Sequence, residues 1–168
     1  LLNELFEWKK VRVFIQYAVY LIVTLMLQGI LFSRLSILGA KGLIMPAAVV
    51  GAGMYVGGVK GAVFGIFMGV FSDIGFSENT VLFTLLFPAI GFLSGFLSEF
   101  FINKNFITYM LLAFLACFLS AGAQMLSSVV KYGAEILPAL LMLLLQTLVS
   151  LLPSMLLYLP FRKRYLNE

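Results

Sequence analysis

The stretch Gly57–Asp73, GGVKGAVFGIFMGVFSD, decides how this chain is read. Gly57, Gly61, Gly65 and Gly69 recur every four residues, and Asp73 falls one step further on. Residues four apart in an α-helix lie one above another on nearly the same face, so the repeat makes a groove without side chains that ends in a carboxylate. A second helix can approach closely there. Further along, Gly91 and Gly95 form another G-x-x-x-G pair, bracketed by Ser94 and Ser98. For all these glycines the plain role is packing within the chain's own bundle, and a seam to a partner is the sharper alternative.

The surrounding composition sets the environment in which that groove works. Hydrophobic residues make up 62% of the 168 and charged residues 11%, against roughly 25% charge in soluble domains, and the mean hydropathy is +1.10. These values define an integral membrane protein. A helix crossing the hydrocarbon core needs about 20 apolar residues, which leaves room for six spans and no extramembrane domain. The formal charge of +4 is scattered along the chain and does not suggest nucleic-acid binding.

The expected fold is all-α, a single membrane domain over residues 1–168 with spans at about 13–32, 40–56, 58–74, 80–101, 107–130 and 136–159. The division turns on Gly42 to Ser72, apolar apart from Lys60 and the terminal serine. One helix of that length would reach about 46 Å, past the roughly 30 Å core, with a lysine near its middle. Paired glycines at Gly57-Gly58 permit a tight turn, so the segment is divided there. Pro46 then falls early in the second span, where a missing amide is tolerated. Pro88 and Pro153 mark expected kinks, and Pro160 the end of the sixth span. Residues 1–12, LLNELFEWKKVR, suit a short interfacial helix with Trp8 at headgroup depth. The first apolar run is read as a retained span, being long for a signal segment and lacking a small-residue cleavage site.

Charge placement supports six spans. The N-terminus, the turn at Lys60, the loop at Lys104 and the C-terminus share one side and carry eight basic residues, against Arg34, Lys41 and Lys131 on the other. Both termini are therefore expected in the cytoplasm. The closing cluster Arg162, Lys163 and Arg164 fixes topology or meets the lipid surface.

No catalytic constellation is visible. Histidine is absent and the single cysteine, Cys117, sits in the apolar run LLAFLACFLS, which removes histidine chemistry and an internal disulfide framework. No metal or cofactor is expected. The carboxylates Glu4, Glu7, Asp73, Glu78, Glu99, Glu135 and Glu168 all fall near interfaces on this topology, whereas a proton relay places them deeper. Asp73 stands at a helix C-terminus, where the macrodipole disfavours an anion. That mismatch points to a second partner such as the start of the following helix near Asn79-Thr80.

The run LQGILFSRLSILGAK (27–41), followed by GAVFGIFMGVFSDIGFSENTVLFTLLFPAIGFLSGFL (61–97), resembles the rod shape-determining MreD family of small bacterial membrane proteins. The resemblance covers residues 20–100 well and the remainder through hydropathy and the basic C-terminus. Gly65, Gly69 and Asp73 match the family's central motif, and Gln28 its first-helix glutamine. Where the family commonly shows a Pro-Asp pair after the first loop, this chain has Lys41-Gly42-Leu43 and places its proline at Pro46.

The resemblance implies a noncatalytic scaffold of the elongation machinery in the bacterial cytoplasmic membrane, supporting cell shape and lateral peptidoglycan synthesis. Its expected partners are MreC, then MreB, a SEDS glycosyltransferase and a class B penicillin-binding protein. It also implies a fold similar to the S-components of energy-coupling-factor transporters, which makes a vitamin-binding S-component the alternative function.

Overall fold

A computed structural model describes residue 15 and residues 17–30, 36–37, 40–76, 81–101, 104–133 and 135–165. The N-terminal interfacial helix and Trp8 expected from the sequence lie outside the described residues. Among the described residues six helices follow in order: α1 Tyr17–Ile30, α2 Met45–Val56, α3 Gly58–Phe76, α4 Leu82–Phe100, α5 Phe106–Tyr132 and α6 Ile136–Tyr165. Between α1 and α2 a two-stranded antiparallel hairpin, β1 Ser36–Ile37 and β2 Ala40–Lys41, pairs Ser36 with Lys41 and Ile37 with Ala40.

Among the described residues four helices contain stretches long and apolar enough to cross a membrane: Gly58–Gly75, Leu82–Phe100, Phe106–Tyr132 and Ile136–Tyr158. The molecule is an all-α, multi-pass membrane protein. Its outward faces carry Leu85, Val130 and Leu152, each largely exposed, as suits contact with lipid chains.

Helix α2 sits at the centre of the bundle. Every residue from Met45 to Met54 is buried, and α3, α4, α5 and α6 all contact it. Its sequence, MPAAVVGAGMYV, is apolar on every side and rich in small residues, which is the pattern of a helix surrounded by others. Twelve residues span only about 18 Å. The second span expected at 40–56 is thus corrected: Ala40–Lys41 is strand, Gly42 and Leu43 are irregular, and the helix begins at Met45. Residues 40–44 are no part of the helix.

Gly57 separates α2 from α3. Its φ of 107° and ψ of 156° lie in territory open to glycine alone, while its amide closes α2 by donating to Gly53 O at 3.0 Å. Helix α5 also ends on a left-handed glycine, Gly133, with φ 60°.

The last helix differs from expectation at its end. Helix α6 runs through Pro153 and Pro160 to Tyr165, so Pro160 does not terminate it and the Arg162–Arg164 cluster belongs to its final turns. Helix α3 likewise continues past its expected end at 74 to Phe76, with Asp73 in its last turn.

Candidate functional site

Helices α3 and α4 form the most extensive pairing in the molecule, and the glycine ladder is the reason. A Cβ added at Gly65 would fall 2.5 Å from Phe87 O, and one at Gly69 would fall 2.5 Å from Phe83 O. At Gly61 it would meet Gly91 O at 2.8 Å, and at Gly91 and Gly95 it would overlap the α3 backbone at Gly61 and Gly58. The two backbones therefore touch over the whole run from Gly58 to Gly69. Gly53 of α2 meets Gly91 and Ser94 in the same way, so three helices converge at one level. The spacing of four already extends back to Gly53 in the sequence, a signal the reading of Gly57–Asp73 left out.

The serines beside Gly91 and Gly95 tie the layers. Ser98 Oγ stands 3.0 Å from Met54 O of α2 and 2.9 Å from Gly95 O of its own helix, its single proton shared between the two carbonyls. Ser94 Oγ donates to Gly91 O at 3.1 Å.

Asp73 closes the ladder by capping the neighbouring helix. Its Oδ1 accepts the Phe83 amide at 3.1 Å, and its Oδ2 accepts the Thr84 amide at 2.8 Å and the Thr84 hydroxyl at 2.6 Å. Phe83 and Thr84 stand in the first turn of α4, where amides have no intrahelical acceptor, and the N-cap residue Val81 has no side chain able to serve them. The anion rests against the positive end of the α4 dipole, which outweighs its poor position on α3.

At the opposite end of the α3–α4 pair, Glu99 Oε1 lies 2.9 Å from where a Gly57 Cβ would stand. Each helix of the pair thus brings an acid to the start of the other.

A second constellation holds the irregular approach to α2. Gln28, 1% exposed, donates from Nε2 to Gly42 O at 2.9 Å and accepts the Ile44 amide on Oε1 at 2.7 Å. Ser150 Oγ of α6 accepts the Leu43 amide at 2.9 Å, and the Cys117 thiol of α5 points to Leu43 O at 3.7 Å. Backbone outside regular structure survives at membrane depth only when protein groups satisfy it. Here side chains of α1, α5 and α6 do so together.

Tyr109 performs a related service deeper in the bundle. Fully buried, its hydroxyl lies 3.3 Å from Ala47 O and 3.1 Å from Ser154 O, joining α2 and α6 through α5. Its ring packs against Tyr158, which also meets Phe106 and Tyr55. Sequence reasoning missed Thr84, Tyr109 and Ser150 in these roles. Only Tyr109, a phenol inside an apolar helix, carried a visible hint.

The sites named from the sequence therefore fall into separate places. Gly61, Gly65, Gly69, Asp73, Gly91 and Gly95 share the α3–α4 seam, Gly57 forms the turn below it, and Gln28 clamps the approach to α2. Arg162, Lys163 and Arg164 belong to the far end of α6. Among the described residues no three Asp, Glu or Cys side chains are grouped to hold a metal ion.

Set against known proteins, the chain matches no family model, no curated protein and no solved structure.

Proposed function

We propose that this protein is a noncatalytic scaffold of the bacterial cell-elongation complex, of the MreD type, acting through association with MreC and other members of that complex. The observation that carries the reading is where the motif residues fall. Gly65, Gly69 and Asp73, which match the family's central motif, build one α3–α4 junction, and Gln28 holds the entry to α2. Residues so placed define the shape of a bundle, which is what a scaffold presents to its partners.

On this reading the chain crosses the bacterial cytoplasmic membrane six times with both ends in the cytoplasm, in a bundle similar to the S-component fold. The short α2 is compatible with a full crossing. Its 12 residues reach about 18 Å, and the five non-helical residues from Ala40 to Ile44 add up to about 16 Å when extended, together enough for the roughly 30 Å core.

Affinity purification from native membranes in mild detergent tests the function. The expected outcome is recovery of MreC with the tagged chain and no stoichiometric small molecule. Recovery of transporter energising subunits, or of a bound vitamin by mass spectrometry, would instead support the S-component alternative and overturn the scaffold reading.

A further inference from the structure

We draw no further inference here: the strongest candidate, the fully buried Ser72 side chain on α3, whose hydroxyl has no hydrogen-bond partner, carries nothing, because nothing among the described residues shows what that hydroxyl faces.

Discussion

Asp73 of α3 and Thr84 of α4 are joined twice through one carboxylate oxygen, which accepts the Thr84 amide at 2.8 Å and its hydroxyl at 2.6 Å. Cap and interhelical tie are the same group. Asp73→Ala should therefore remove both the α4 cap and the upper tie of the α3–α4 pair, at a cost of about 1–2 kcal/mol or more. Thr84→Val should lose only the hydroxyl contact. The two changes should be non-additive in a double-mutant cycle, since the contact that Thr84→Val removes is already lost with the carboxylate. Detergent unfolding followed by circular dichroism measures this, and additive losses would count against the shared tie.

The glycine seam makes a steric prediction. Backbone of α4 already stands 2.5 Å from where a Cβ on Gly65 or Gly69 would sit, so Gly65→Leu and Gly69→Leu must push the helices apart. The cost should exceed the roughly 1–3 kcal/mol typical of overpacking, because backbone cannot yield as a side chain does. Reduced accumulation in membranes is the expected result, or, if the proposed association with MreC holds, its loss from the purified protein. Normal accumulation together with normal copurification in both variants would show that the seam tolerates bulk.

The Gln28 clamp can be read through the protein's own thiol. Gln28→Leu leaves Gly42 O and the Ile44 amide without their partners, which costs about 2–4 kcal/mol in a buried setting. Cys117 is buried beside Leu43, so loosening the approach to α2 should expose it. A membrane-permeant maleimide should label Cys117 slowly in the wild type and several-fold faster in Gln28→Leu. Identical labelling rates would mean that the clamp does not hold this segment.

Much of this was legible before any coordinates, and the limits have physical causes. Glycines repeating every four residues mark a close helix contact whatever the partner, because the missing side chains are themselves the signal. The mismatch of Asp73 with its own helix dipole likewise pointed across to the next helix. The start of α2 was not legible: Gly42 to Ile44 are apolar and continuous in hydropathy with the helix, and they leave it because Gln28 and Ser150 offer hydrogen bonds from far away in sequence. Nor was the end of α6, where Pro160 reads as a terminator while the helix carries on to Tyr165. Hydropathy reports burial in lipid or protein alike, so it marked α2 as a span and could not mark it as the centre.

The turn at Gly57 should tolerate no side chain. Gly57→Ala would hold a Cβ at a φ of 107° with Glu99 Oε1 only 2.9 Å away. A cost of about 1–3 kcal/mol from backbone strain is expected. A Glu99→Gln, Gly57→Ala pair should recover little, because a neutral side chain of equal size leaves the strain in place. Thermal unfolding of Gly57→Ala, Glu99→Gln and the pair separates strain from charge.

Topology gives the last prediction. On a background with Cys117 replaced by alanine, Lys131→Cys should react with an impermeant maleimide added to intact spheroplasts. Lys60→Cys and Asn105→Cys should react only after the membrane is opened. Labelling of Lys60→Cys from outside would remove the proposed orientation and its pairing of the Gly57 turn with the α4–α5 loop.

The partner of the Leu43 amide lies 107 residues downstream, on α6. Until α6 leaves the ribosome, the segment leading into α2 has one of its buried backbone groups unanswered, and α2 itself is shorter than the roughly 17 residues that insert unaided. The central helix is therefore a late arrival in assembly although it is made early.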